Sequence, residues 1–315
     1  MDALTSVLGS IHLKSSLLSQ LDAAGDWSID CEDPRGITAY CILSGGCWFA
    51  PTTGEVVRLE TGDILLLPEW HEHRLFSSPH VPAIPVSEVA RRFGVQIWDP
   101  DQPFGEIYYL RHGPDGEDRN HVRILVILLR AAEREQAILT SCLPKVWRFN
   151  PSNERIASSV SLAVRFLSQE LAQKSVGFGA ASHRLAEFLF VQLLREVVET
   201  RADGVRGWLK GLSSPALSCV LVAMHRMPDA RWTIDQLAAL ARMSRSTFCA
   251  EFSHVIGVSP ITYARNIRLQ AAAGRLERGH SVKEASVAAG YATPYGFQKA
   301  FSQAFGSPPI SWRRR

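Results

Sequence analysis

Apolar positions along the 315-residue chain follow two periods. In the first part they come in short runs, 37–43, 47–50, 55–60 and 63–67, cut by Gly45 and Gly46, by Pro51 to Gly54 and by Thr61 to Asp63. Runs of this length between turn residues predict strands, at the spacing of a small β-barrel or jelly roll. Beyond residue 150 the period becomes helical. Ile156, Val160, Ala163, Leu167 and Leu171 make one stripe, and Ala186, Phe190, Leu193 and Val197 a second with heptad-like 4-3-4 steps. The second helix also carries Leu185, Phe188, Leu189, Leu194 and Val198. Apolar residues on more than one side predict burial against more than one neighbour.

A phrase then repeats. Phe248, Phe252 and Gly257 recur as Phe297, Phe301 and Gly306 at a constant offset of 49, each copy followed by a Ser-Pro at Ser259-Pro260 or Ser307-Pro308. A repeat of that length marks a duplicated supersecondary unit. The i, i+4 spacing puts both rings of a pair on one helix face, and a short apolar helix with a tight break precedes each pair. The order is helix, turn, helix, twice. Thr233 with Gln236 and Ser281 with Glu284 are capping boxes at the two first helices, while Ser244 and the Thr293-Pro294 pair start the second ones. With the phenylalanines inward, the first unit leaves Arg245, Ser246, Thr247, Cys249 and Ala250 outward, a poor set for hydrogen-bonding base edges. The second leaves Thr293, Tyr295, Gln298 and Lys299, of which Gln298 is the candidate base reader and Lys299 the candidate cationic contact. The helix from Pro260 to Arg278 joins the units, and reading helices in successive major grooves would stand roughly 34 Å apart.

Charge follows the same division. Residues 215–315 hold thirteen Lys and Arg against five Asp and Glu, and the rest of the chain twenty-one against twenty-six. A basic module beside an acidic one is what phosphate contact by the C-terminal part alone requires. Cys31, Cys41, Cys47, Cys142, Cys219 and Cys249 form no CxxC pair and are expected as small core residues. No secretion signal or bilayer-spanning run is recognisable, which makes the cytoplasm the expected compartment, with no membrane partner.

These residues carry a resemblance. Trp232-Thr233, Leu237-Ala238, Met243 to Ser246, Gly257 to Pro260, Arg268-Leu269, Gly290-Tyr291, Phe297, Phe301 and Gly306 resemble the DNA-binding domain of the AraC/XylS family of bacterial transcription regulators. The resemblance covers about 100 residues. It implies binding to double-stranded promoter DNA and activation of RNA polymerase. The chain departs from the family pattern at Ala250, where an arginine is frequent, and at Ala285-Ser286, where Ile-Ala is usual. Gly62 to His73, with Pro68 and His73, resembles the second half of a cupin motif, in which the histidine can ligate metal. The earlier cupin strand, with its His-x-His and Glu, corresponds here to Tyr40 to Ser44 and has no histidine.

The expected fold is therefore α+β: a cupin-like β-barrel over 1–150, a helical connector over 151–214, and an all-α domain with two helix-turn-helix units over 215–315. A metal-dependent cupin enzyme fused to a DNA-binding module is the rival function. It needs three or four converging ligands where only His71 and His73 are at hand, so no metal, cofactor or catalytic residue is assigned. Tyr40, Trp48, Trp70 and His73 line either a small-effector pocket or an ordinary core. A homodimer is expected through the Ser182–Thr200 helix, at Phe190, Leu193 and Val197, and the rival is packing within one chain.

Overall fold

The computed structural model describes residues 4–5, 13–32, 36–69, 71–92, 109–112, 120–131, 139–149, 154–173, 175–200 and 204–312. One compact unit spans His12–Gly204 and a second is built on Val205–Arg315.

The first unit has strands β1 (Leu13–Ala23), β2 (Ser28–Cys31), β3 (Ile37–Ser44), β4 (Gly46–Pro51), β5 (Val57–Glu60), β6 (Ile64–Leu67), β7 (His73–Phe76), β8 (Ile84–Pro85), β9 (Tyr109–His112), β10 (Val122–Ala131) and β11 (Trp147–Phe149). A short helix, α1 (Val86–Arg92), follows β8, and two long ones, α2 (Glu154–Gln173) and α3 (Phe178–Thr200), follow β11. The strands form two sheets, ordered β11-β6-β3-β10-β1-β9 and β5-β4-β7-β2-β8. The four predicted runs lie on β3 to β6. Gly45 turns β3 into β4 at φ +73, where a Cβ would strike the His121 carbonyl oxygen at 2.0 Å.

Inward residues of both sheets share one core. Leu21, Tyr40, Ile42, Leu65 and Ile124 of the larger sheet meet Ile29, Phe49, Leu59 and Leu75 of the smaller. The larger sheet is apolar on its other face too, and β10 shows why. Its sequence, Val-Arg-Ile-Leu-Val-Ile-Leu-Leu-Arg-Ala, has no alternation, as expected of a strand covered on both sides. Ile124 points into the inter-sheet core. Ile127 and Leu129 face the other way and, with Ile37, Ala39 and Leu66, meet Ala186, Leu189, Phe190 and Leu193 of α3.

That packing corrects one expectation. Phe190, Leu193 and Val197 are 3%, 1% and 0% exposed, taken up inside the chain, so the 4-3-4 stripe presents nothing to a second copy. The stripe records burial against the chain's own sheet. The five stripe residues of α2 are all buried as well, and the apolar side chains that the helical pair turns outward are Leu162, Phe166 and Phe188.

The second unit is helical: α4 (Gly207–Leu212), α5 (Pro215–Arg226), α6 (Ile234–Ala241), α7 (Arg245–Ile256), α8 (Pro260–Glu277), α9 (Val282–Ala288), α10 (Pro294–Phe305) and α11 (Pro309–Trp312). In the first lobe α4 packs on α5 and α7, and α6 on α5 and α7, around Leu217, Leu221, Leu237, Phe248 and Phe252. Gly211 lets α4 lie close there: a Cβ would come within 2.7 Å of Ile256 Cδ1 and 2.9 Å of Leu221 Cδ1 and push those side-chain ends aside. The second lobe gathers Ala285, Ala289, Phe297 and Phe301 against Leu269, Ala272 and Leu276 of α8. The other end of α8 serves the first lobe, where Tyr263 meets Phe252 edge-on at 5.7 Å. One helix of 18 residues, about 27 Å long, therefore sets the distance between the lobes. Among the described residues no helix is long and apolar enough to cross a membrane.

Candidate nucleic-acid interface

Each helix-turn-helix unit is built by the same local chemistry. Thr233 and Ser281 close full capping boxes with Gln236 and Glu284, satisfying donors at both ends of each reciprocal pair. The second helices are capped in turn, with Ser244 Oγ accepting from Thr247 N and Thr293 Oγ1 from Gly296 N. Both end on a left-handed glycine, Gly257 at φ +84 and Gly306 at φ +66, the conformation that terminates a helix at little cost only for glycine.

The turns differ. In the first unit Arg242 N bonds Ala239 O and Met243 N bonds Ala238 O, closing the helix with Arg242 at φ +56. In the second, Gly290 N bonds Val287 O and Tyr291 N bonds Ser286 O, with Gly290 at φ +74. Left-handed backbone costs a non-glycine residue roughly 1–2 kcal/mol, so the first turn holds a strained, exposed arginine where the second holds a relaxed glycine.

The outward faces are as different. On α7 the side chains of Arg245, Ser246, Thr247 and Ala250 are exposed and Cys249 half-buried. Several are engaged locally: Ser244 Oγ lies 3.1 Å from Ser246 Oγ and 2.8 Å from Thr247 Oγ1, and Arg245 pairs with Asp235 at 3.2 Å. On α10, Thr293, Tyr295, Gln298 and Lys299 are exposed, and Tyr295 stands 76% out. Thr293 is spent on its cap, while Tyr295, Gln298 and Lys299 make no side-chain hydrogen bond or ion pair among the described residues. Sequence reasoning missed two arginines that hold this surface. Arg231 donates to Gly290 O at 3.2 Å and so ties the entry of the first unit to the turn of the second. Arg275 binds Asp229 through two bonds, the shorter 2.5 Å, and fixes α8 against the α5–α6 loop. Ala285 is fully buried and Ser286 2% exposed, so the departure at this pair puts a hydroxyl where the family pattern has a methyl. Of the cysteines, Cys219 is exposed and Cys249 half-buried, against the expectation that all six are core; Cys31, Cys41, Cys47 and Cys142 are buried.

In the sheet unit, Tyr40 and His73 come together. Tyr40 Oη and His73 Nε2 are 2.9 Å apart, and His73 Nδ1 lies 2.8 Å from the His71 carbonyl oxygen. A carbonyl only accepts, so Nδ1 carries the proton and Nε2 accepts from the tyrosine. Burial lowers the His73 pKa to about 4, pushes the Cys31 and Cys47 thiols up to about 12 and holds Tyr40 well above its usual value. Trp48 stands apart on the outward side of β4 with the Arg58 guanidinium 5.2 Å from its ring, because Cys47 and Phe49 on either side of it point inward. Trp70 lies outside the described residues. The four residues expected around one interior pocket are therefore not one set.

The same geometry answers the cupin metal. His71 and His73, two residues apart, lie on one side with ring centroids 5.9 Å apart. Both His73 nitrogens already have partners within the chain, which leaves that ring no free donor atom for a metal ion. Among the described residues no group of three His, Cys, Asp or Glu converges.

Comparison with known proteins gives two family matches, cupin over residues 2–199 and helix-turn-helix domain over residues 237–315. A putative AraC-like transcription regulator of Streptomyces lividans is 28% identical over 317 residues, spanning 100% of this chain and 98% of its own. The HTH-type transcriptional regulator AlkR of Acinetobacter baylyi is 24% identical and spans 100% of both chains. The RCS-specific HTH-type transcriptional activator RclR of Escherichia coli is 26% identical over 100% of this chain and 98% of its own.

Proposed function

Since the chain belongs to the cupin family and ends in a helix-turn-helix domain, we propose that its sheet unit governs how two DNA-reading helices engage a promoter. The protein is a DNA-binding transcriptional regulator of the AraC type and not an enzyme. The observation that carries the reading is the pair of capped helices α7 and α10, each with its phenylalanine ladder buried and its polar face outward in a basic module. In the proposed division of labour α10 reads bases through Gln298, with Lys299 and Tyr295 on bases or phosphates beside it. Helix α7 positions the protein through Arg245, Ser246 and Thr247.

Three further parts belong to the proposal. The regulator activates, by contact with RNA polymerase at the bound promoter. It works as a homodimer, through the outward apolar side chains Leu162 and Phe166 of α2 and Phe188 of α3, each 44–47% exposed. A small effector bound by the sheet unit shifts the balance between DNA-binding arrangements by its unequal affinity for them.

Titration of the full-length protein against promoter fragments of its own genome, with random DNA as competitor, tests the central statement. Selective binding that falls roughly a thousandfold or more between 50 and 200 mM salt is expected for about six to ten phosphate contacts. Binding indifferent to sequence would sink it. The dimer is tested separately: charged substitutions at Phe166 and Phe188 that leave the sedimentation behaviour unchanged would exclude that face.

A further inference from the structure

The outer face of the larger sheet is not covered evenly. Helix α3 presses Phe190 and Leu193 onto it, but toward β11 the helix α2 presents Ala157, Ser161, Ser168 and Ala172, side chains too short to reach the strands. The gap they leave is a groove of about 650 Å³, within the size range of small-molecule sites.

Strand register gives its floor. Gln20 pairs with Leu125, Leu125 with Cys41, Cys41 with Ile64 and Ile64 with Phe149, so these five form one row across five strands on a single face. Four of them line the groove, three being buried and without charge: Cys41, Ile64 and Phe149. The fourth, Gln20, is 8% exposed, and its amide makes no hydrogen bond among the described residues. Its amide atoms are not sealed from water, so they are open to a hydrogen-bonding ligand in the groove.

Beside it stands Arg123, two residues before the cross-strand partner of Gln20 and so its diagonal neighbour on the same face. From the helix side comes Arg165. The lining carboxylate, Asp63, is already bound by both ends of the Arg148 guanidinium, at 3.0 and 2.7 Å. Asp22, the cross-strand neighbour of Arg123, is held by His121 at 2.7 Å, and Arg123 Nε donates to Ser44 Oγ. Arg123 and Arg165 therefore both line the groove with no carboxylate within ion-pair distance among the described residues, the Arg165 guanidinium lying 6.0 Å from the Phe166 ring.

We propose that this groove binds an amphipathic organic anion, a single carboxylate on an apolar body. Gln20, Arg123 and Arg165 hold the carboxylate, and Ile64, Phe149 and Val164 cover the apolar part. The ligand bridges strand and helix, because Arg123 belongs to β10 and Arg165 to α2. This deepens the effector reading proposed above and rests on it only for its consequence at DNA.

Isothermal titration of the full-length protein with 2-naphthoate, beside the neutral 2-naphthamide, tests the site. Naphthoate is expected to saturate one site and naphthamide to bind about tenfold more weakly or not at all, with R123Q and R165Q each weakening naphthoate roughly 10- to 100-fold. Both arginines are exposed, so these variants keep the fold. S161W fills the groove and abolishes binding, and Q20L, which removes the amide without filling the groove, weakens binding and is the variant to use should the tryptophan disturb folding. No binding of naphthoate, or equal binding by R123Q, R165Q and Q20L, overturns the proposal. Promoter affinity measured with and without naphthoate separates the two readings. Binding in the groove with unchanged promoter affinity refutes the effector role and keeps the site. A promoter response that survives R123Q and R165Q refutes the site and keeps the effector role.

Discussion

The rings of Phe248 and Phe252 pack 5.5 Å apart at 57°, those of Phe297 and Phe301 5.3 Å apart at 55°. Inside, the two helix-turn-helix copies are nearly one structure, and their divergence begins at the turn and continues over the outward face. The first copy spends its polar side chains on one another: Arg245 on Asp235, Ser246 and Thr247 around Ser244. The second leaves Gln298 and Lys299 without a side-chain partner among the described residues. Duplication with a shared core thus preserves the scaffold and leaves the surface free to differ, which is the basis of the proposed division between holding and reading. Even the Ser-Pro that follows each ladder diverges in use, since Ser259-Pro260 launches the 18-residue α8 while Ser307-Pro308 leads into a single turn.

The largest test of that shared core is truncation. F252A and F301A each remove a fully buried ring and should each cost about 3–5 kcal/mol, read from denaturant unfolding of the helical unit. A cost below about 1 kcal/mol in one copy alone would break the equivalence.

Acid should separate the lobes. His225 accepts or donates with Tyr263 Oη at 3.0 Å in the first lobe, and burial lowers its pKa to about 4. The unfolded chain then binds a proton below about pH 6.5 that the fold refuses, so stability is full above that pH and falls as the pH drops towards 4, by up to about 3 kcal/mol. Amide exchange at pH 4.5 and 7 should show α5 and α8 losing protection before α10, whereas equal loss would make the lobes one cooperative unit. His73 imposes the same sign and window on the sheet unit.

At the surface, Q298A should relax base preference by about 1–3 kcal/mol at one promoter position, while R245A weakens all sequences alike and lowers the salt slope by about one. Equal loss of selectivity from the two would dissolve the division between holding and reading. The smallest effect belongs to the turns: R242G should raise stability by about 1 kcal/mol and G290A lower it by a similar amount, since the first relieves strained left-handed backbone and the second creates it. If R242G also weakens DNA binding, the strain is tied to a cationic contact.

Much of this was legible from residue order. Capping boxes, ladders and glycine stops are local chemistry, and they are where they were expected at Thr233, Ser281, Gly257 and Gly306. Strands β3 to β6 were marked by their turns. Strand β10 was not, because ten residues without alternation carry no period and read equally as a buried helix segment. The Phe190 stripe announced burial and left open against what; only the sheet supplies the answer. Trp48 was misplaced because an aromatic in a strand reveals its face only through its neighbours Cys47 and Phe49. The groove was invisible for a deeper reason: Gln20, Cys41, Ile64, Arg123, Phe149 and Arg165 come from six separate stretches, brought together only by strand register and by the packing of α2 over the sheet.

The double burial of β10 also orders events in time during synthesis. Its outward residues Ile127 and Leu129 leave the ribosome well before α3, which ends at Thr200 and covers them. At roughly 5–20 residues per second, the 69 positions from Ala131 to Thr200 take about 3–14 s to add. For that interval the nascent sheet shows water an aliphatic face with nothing to shield it, and a chain stalled before α3 is a client for chaperones.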